Sequence, residues 1–174
     1  DETYTKTKPT EAGDYIVKAV WEETANCVEI TATDPFTIAK RELKIHKESS
    51  AYYNGETQVM NISEGDLAEG TVASGEKLTV KAGISGKEAG TYTTLDEGAT
   101  WSVFKDELDV SKNYDVKISG SFTIKKSGSE GDKDPYTGSV TLDDWTYGDE
   151  AKEEKAETTG GDYSDPTYYY KEAK

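Results

Sequence analysis

The sequence holds one cysteine, one histidine and one methionine among 174 residues, and that scarcity removes whole classes of chemistry. A thiolate or imidazole metal site needs several such ligands, and a disulfide framework needs cysteines in pairs. Basic residues are also scarce: 20 Lys and Arg stand against 35 Asp and Glu, a formal charge of −15. Binding to nucleic acid through its phosphates needs clustered cations, and so does docking on anionic lipid. No apolar run approaches the ~20 residues of a membrane span, and the first residues lack the basic-then-apolar pattern of a secretion signal. What is present is aromatic. Twelve Tyr and three Trp are too many for a plain disordered acidic linker. The expectation is a soluble, folded, acidic protein with little catalytic equipment.

A two-residue period dominates the pattern. Tyr15, Val17, Ala19 and Trp21 fall on one face of an extended strand; Leu43, Ile45 and Lys47 alternate with Lys44 and His46; Leu78 and Val80 alternate with Lys77, Thr79 and Lys81. Val116 and Ile118 flank Lys117, and Phe122 and Ile124 flank Thr123. Gly, Asn, Asp or Ser cut the pattern every ten or so residues, as in short antiparallel strands. Helical signal is confined to Phe104–Leu108, whose two apolar residues sit four apart, enough for one turn of helix. Ala151 to Glu157 has helix-friendly residues but no apolar face and reads as a solvated loop or strand edge. The chain is expected to be all-β.

The sequence also repeats itself. Glu11-Ala12-Gly13-Asp14-Tyr15 recurs as Glu88-Ala89-Gly90-Thr91-Tyr92, and Phe36-Thr37-Ile38 recurs as Phe122-Thr123-Ile124. A tyrosine–glycine element stands at Tyr53-Asn54-Gly55 and again at Tyr147-Gly148-Asp149. Phe36 and Phe122 are 86 positions apart, and counting onward from Phe122 through the end and back to Phe36 gives 88. Near-equal spacing around the join fits one period of a two-module tandem array, cut within a module. The expected plan is the C-terminal half of a module (1–40), a complete module (41–126), an acidic linker (127–135) and the N-terminal half of another module (136–174), completed by the next repeat. Modules of this length with about seven short strands suit an immunoglobulin-like β-sandwich. Tyr15, Trp21, Phe36, Tyr92, Trp101 and Phe122 are its expected core members, and the glycines of the Glu-Ala-Gly elements are expected to supply positive φ in a turn.

Tyr53-Asn54-Gly55-Glu56-Thr57, Glu88-Ala89-Gly90-Thr91-Tyr92, Asn113-Tyr114 and Phe122-Thr123-Ile124 together resemble the MBG repeats of bacterial surface proteins, of the type named for a Tyr-Asp-Gly motif. Asn54 takes the place of the usual Asp. Trp145-Thr146-Tyr147-Gly148-Asp149, with Pro9-Thr10-Glu11-Ala12-Gly13-Asp14-Tyr15 and Phe36-Thr37-Ile38, is similar to the companion type named for Tyr-Gly. The resemblance implies an Ig-like β fold, a place in a long secreted or wall-attached bacterial protein, and no catalytic residues.

Candidate sites are few. Glu130, Asp132 and Asp134 could offer the hard oxygens that calcium takes, and calcium at a module joint would stiffen an array; the EF-hand spacing is absent and Lys133 intrudes, so a solvated linker is the default. Asp143-Asp144 and Glu153-Glu154 pair acids without a cleft for glycoside hydrolysis. His46 is expected on the polar side of its strand, and Cys27 as a small buried residue or an unpaired thiol. Trp145, Tyr168, Tyr169 and Tyr170 could stack sugar rings; the simpler reading puts one face of a Tyr168–Tyr170 strand in the core and the other over a module joint. No catalytic or cofactor site is expected. The expected role is that of an extracellular stalk or fibre segment on a bacterial surface, with neighbouring copies of the same repeat as head-to-tail partners. A carbohydrate- or host-protein-binding adhesion module is the alternative. Nucleic acid and membrane insertion are excluded as partners.

Overall fold

A two-residue apolar period places every apolar side chain on one face of a pleated strand, and the chain folds accordingly. The structure is a computed structural model that describes residues 4–129, 131–133, 136–159 and 163–172. Its strands are β1 (Gly13–Trp21), β2 (Ile30–Ile38), β3 (Arg41–Tyr52), β4 (Gln58–Ile62), β5 (Leu67–Glu69), β6 (Glu76–Gly86), β7 (Gly90–Tyr92), β8 (Thr100–Lys105), β9 (Leu108–Asp109), β10 (Tyr114–Lys125), β11 (Gly138–Thr141) and β12 (Lys155–Thr158). Helical structure among the described residues is limited to two 3-10 turns, Glu64–Asp66 and Ser111–Asn113. The protein is all-β. Phe104–Leu108 is not a turn of helix: Phe104 pairs with Asp109 and Lys105 with Leu108 across a tight hairpin, with Asp106 at φ 53°. One apolar pair spaced by four cannot nucleate a helix against ladder hydrogen bonds. Within Ala151–Glu157, Lys155 onward forms β12, a strand with no buried residue.

Two four-stranded sheets have the orders β5-β3-β10-β7 and β4-β6-β8-β9, and β1–β2 and β11–β12 form two-stranded sheets of their own. The neighbours β3 and β10 run parallel, because their contacts keep a nearly constant offset: Ser119 Oγ donates to Ile45 O at 3.3 Å, and Tyr53 N donates to Lys125 O at 2.8 Å. A chain that enters β3 at Arg41 and leaves β10 at Lys125 thus enters this strand pair at one end and leaves at the other.

The chain divides into two compact units, Asp1–Glu48, Met60–Ile84 and Thr93–Ser121 in one, and Ser49–Val59, Ser85–Tyr92 and Phe122–Lys174 in the other. In the first, Leu43, Ile45, Met60, Ile62, Leu78, Val80, Ala82, Ile84, Val103, Val110 and Tyr114 are buried and form a core between strands of both four-stranded sheets. Gly120 of β10 marks where the two sheets approach: a Cβ there would come within 2.9 Å of Met60 Cε and 3.2 Å of Ile62 Cδ1, both on β4 of the other sheet. This sheet-on-sheet packing makes the fold a sandwich. Tyr114 Oη donates to Glu76 Oε2 at 2.6 Å and accepts from Ala73 N at 2.9 Å. Burial, reinforced by the Glu76 bond, raises its pKa. Asp66 Oδ2 accepts from Ser63 N at 2.9 Å and from Lys47 Nζ at 3.3 Å; the Ser63 N–H leads in holding its carboxyl below the usual range, and Lys47 adds to it.

In the second unit, β7 pairs antiparallel with the end of β10, Tyr92 opposite Phe122 and Gly90 opposite Ile124. Phe122 and Ile124 are 3% and 2% exposed. Beyond β10 the described residues form a turn. Asp132 Oδ2 accepts from Gly128 N at 2.8 Å and Ser127 Oγ at 3.1 Å, and Tyr136 N donates to Ser127 Oγ at 3.3 Å. Tyr136 then stands edge-on to Tyr53 at 6.4 Å and to Tyr163 at 6.5 Å between centroids.

Candidate functional site

The repeated motifs become repeated geometry. In β1–β2, Tyr15 pairs with Phe36, Asp14 with Thr37 and Gly13 with Ile38. In β7–β10, Tyr92 pairs with Phe122, Thr91 with Thr123 and Gly90 with Ile124. The registers coincide residue for residue. The side-chain bonds follow: Tyr15 Oη donates to Glu11 O and Tyr92 Oη to Glu88 O, each at 2.9 Å and four residues back. Thr37 Oγ1 donates to Asp14 Oδ1 at 2.6 Å, where Thr91 and Thr123 hydroxyls meet at 3.2 Å. The Glu-Ala-Gly glycines therefore lie in strands opposite isoleucines rather than in turns, Gly13 with an extended φ of 159°; a Cβ on Gly90 would meet nothing within 4 Å. Left-handed turn conformations occur in the tyrosine–glycine elements, at Gly55 (φ 81°) and Gly148 (φ 97°), where an L side chain would be strained.

Burial separates the two copies. Directly opposed residues share a face, so Tyr15, Val17, Ala19 and Trp21 lie on the same face of the hairpin as Ile30, Ala32, Phe36 and Ile38, with Asp34 the one acid among them. Val17, Trp21, Ile30 and Phe36 are 53, 58, 59 and 38% exposed. Trp21 and Phe36 are thus not core residues, and Tyr15, Tyr92 and Trp101 are only half-buried; of the expected six, Phe122 alone is fully buried. The cause is architectural. The Phe122 face of β10 meets a second sheet, as Gly120 shows, whereas β1–β2 is a two-stranded sheet with no residue buried. Stacking of Tyr15 on Phe36, 5.5 Å between centroids, shelters those two rings only partly. The start of the hairpin is anchored by Ala12 N donating to Asn113 Oδ1 at 2.8 Å and by the Glu11–Lys112 ion pair.

A second uncovered surface is built on β11–β12. Val140 pairs with Ala156, so both point to one face, and with Leu142 they floor an open groove of about 730 Å³ walled by residues 163–170. No residue of β11 or β12 is buried. Tyr168, Tyr169 and Tyr170 line this groove but are not in a strand, so strict alternation of faces does not apply to them; Tyr168 is half-buried while Tyr169 and Tyr170 are exposed. Trp145 is exposed and is not among the lining residues. The lining includes Glu154, Glu157 and Asp165 and no Lys or Arg among the described residues, so the groove suits apolar and hydroxyl-bearing groups rather than anions. No repeated motif marks this surface; the alternation Ser139-Val140-Thr141-Leu142 is the sequence signal for its floor.

The other candidates are placed as follows. Asp132 closes the turn at Ser127 and Gly128, and Glu130 and Asp134 lie outside the described residues; no group of three or more His, Cys, Asp or Glu among the described residues is placed to hold a metal ion. Cys27 is an exposed free thiol in the β1–β2 connection, where Thr24 N donates to Cys27 O. Asp143 is exposed, 4.0 Å from Lys155 Nζ. His46 has its Nδ1 2.9 Å from Ser119 Oγ and its Nε2 3.4 Å from Glu48 Oε1, an order that looks like a hydrolytic triad. Ser119 Oγ also donates to Ile45 O at 3.3 Å, and which of His46 and Ser119 donates in their own pair depends on the histidine tautomer.

Fold and surface together define the class: an all-β sandwich carrying two further sheets whose apolar faces are uncovered. No protein-family model matches the chain, and no curated protein or solved structure matches it.

Proposed function

We propose that this chain is a structural repeat unit of an extracellular stalk, fibre or adhesin on a bacterial surface, holding a head domain away from the cell. The observation that carries the reading is the shared register of β1–β2 and β7–β10, which supports two modules built on one plan. In this reading 41–126 is a complete Ig-like module, the linker 127–135 joins it to the half-module 136–174, and 1–40 and 136–174 are complementary halves, each completed by a neighbouring repeat. The parallel first and last strands of the sandwich suit it for serial connection. Each segment carries more acids than bases, and an array of such units is self-repelling and soluble. The MBG-like motifs favour the same role.

The test joins increasing numbers of copies between a membrane anchor and a fluorescent head on bacteria, and measures the height of the head above the surface. Height should rise in equal steps per copy; a height independent of copy number refutes the spacer role. Surface exposure of Tyr169 and Tyr170 beside a groove favours a second reading, glycan binding by ring stacking. Retention on immobilised glycans that disappears in Tyr169→Ala would establish it.

A further inference from the structure

We propose that the groove beside β11–β12 binds an extended, arginine-bearing peptide segment of a partner protein. This goes beyond the spacer role and does not depend on it. All of the lining residues belong to one compact unit, and the volume of about 730 Å³ is that of a ligand site. The charge of the groove has one sign. Glu154, Glu157 and Asp165 line it, Glu154 half-buried, and none of the three is paired with a cation among the described residues. Lys155, beside Glu154 in the chain, instead reaches Asp143 at 4.0 Å.

The rings of the groove are unoccupied in the same sense. Tyr168, Tyr169 and Tyr170 make no ring or cation contact with another described residue, and Tyr169 and Tyr170 are 89% and 68% exposed. Elsewhere in the chain tyrosine faces do take cations: Lys18 Nζ lies 5.4 Å from the centroid of Tyr4, and Lys125 Nζ 5.5 Å from that of Tyr52. A guanidinium stacks flat on such a ring while its N–H groups reach a carboxylate, so arginine answers rings and acids together. A neutral sugar would meet the rings and leave three carboxylates without counter-charge. The main chain argues for a peptide over a free ammonium ion. Residues 163–170 run without a turn, and their backbone makes no hydrogen bond to another described residue. Apart from Pro166 they offer donors as well as acceptors to a second extended chain, as in strand addition. The floor of Val140, Leu142 and Ala156 takes the apolar side chains between the arginines.

The full chain, titrated to about 1 mM into a fluorescent octapeptide of alternating arginine and valine, tests this by anisotropy. Binding should saturate and weaken as salt is raised. The same peptide with citrulline for arginine keeps its shape but not its charge, and should bind at least about tenfold more weakly. A chain of net charge −15 attracts any cation diffusely, so two variants that each remove three negative charges are compared. Glu154→Gln with Glu157→Gln and Asp165→Asn should weaken binding at least about tenfold. Glu22→Gln with Glu23→Gln and Glu29→Gln, all exposed in the β1–β2 connection, should change it by less than about twofold. Tyr169→Ala with Tyr170→Ala should cost about three- to tenfold. An unchanged urea midpoint in every variant locates the losses at the groove. The proposal is overturned by an absence of saturable binding, by a citrulline peptide that binds equally well, or by equal losses in the two charge variants. Maltohexaose that binds where the peptide does not overturns it in favour of glycan stacking. Each of these outcomes leaves the spacer role standing, since that is read from head height in a covalent array.

Discussion

The β7–β10 pair and the β1–β2 hairpin carry the same motif in the same register, yet Phe122 and Ile124 of the first are buried and no residue of the second is. The comparison separates two things that a motif encodes. Pairing, the tyrosine corner and the opposed threonine are local, and they form in both places. Burial is not local: it needs a second sheet, which the Phe122 face of β10 meets and the hairpin does not. A two-stranded ribbon alone is marginal in water, and here it is held by its cross-strand ladder and its anchorage at Asn113.

The difference can be broken or sharpened by experiment. Phe122→Ala should cost about 3–5 kcal/mol in urea unfolding at low protein concentration, as expected for a buried aromatic. Phe36→Ala at the same dilution should cost less than about 1 kcal/mol; equal losses would refute the covered-versus-uncovered distinction. Tyr114→Phe comes next. It removes the bond to Glu76 and leaves the Ala73 amide without its acceptor, at about 1–3 kcal/mol in the same assay. Tyr92→Phe should cost about 1 kcal/mol for the lost bond to Glu88 O, whereas Tyr15→Phe should scarcely move global unfolding and instead speed amide exchange within β1–β2. The smallest effect is with acid. The folded Asp66 carboxyl titrates below its unfolded value, so its contribution is present above the ordinary carboxylate range and is lost as pH falls through the folded value. Asp66→Asn should flatten that part of the stability-against-pH curve and leave neutral-side behaviour unchanged in slope.

Much of this arrangement was legible in the residues. Alternation at Leu43–Ile45, Leu78–Val80 and Phe122–Ile124 marked strands and core faces correctly, because a half-buried strand has a period of two whatever its neighbours are. The repeated motifs gave the register of the two pairs for the same reason. Other features depend on tertiary context. Phe36 and Trp21 have the same local signature as core residues, and nothing within a few positions reports that the opposing layer is missing. Phe104 and Leu108 had a helical spacing, but a two-residue loop let the ladder take them. The glycine roles were exchanged: strand positions at Gly13 and Gly90, turn positions at Gly55 and Gly148. The groove beside β11–β12 was missed because its walls come from residues 163–170, which have no periodic pattern.

The parallel run of β3 and β10 has a consequence for load. Tension applied to the chain at Arg41 and Lys125 pulls these neighbouring strands lengthwise past each other, so the bonds joining them must yield together rather than one after another. A sheet loaded this way resists as a lap joint does. Stretching between handles at those two residues should therefore need a higher rupture force than pulling the same strands apart sideways, which opens the ladder like a zip.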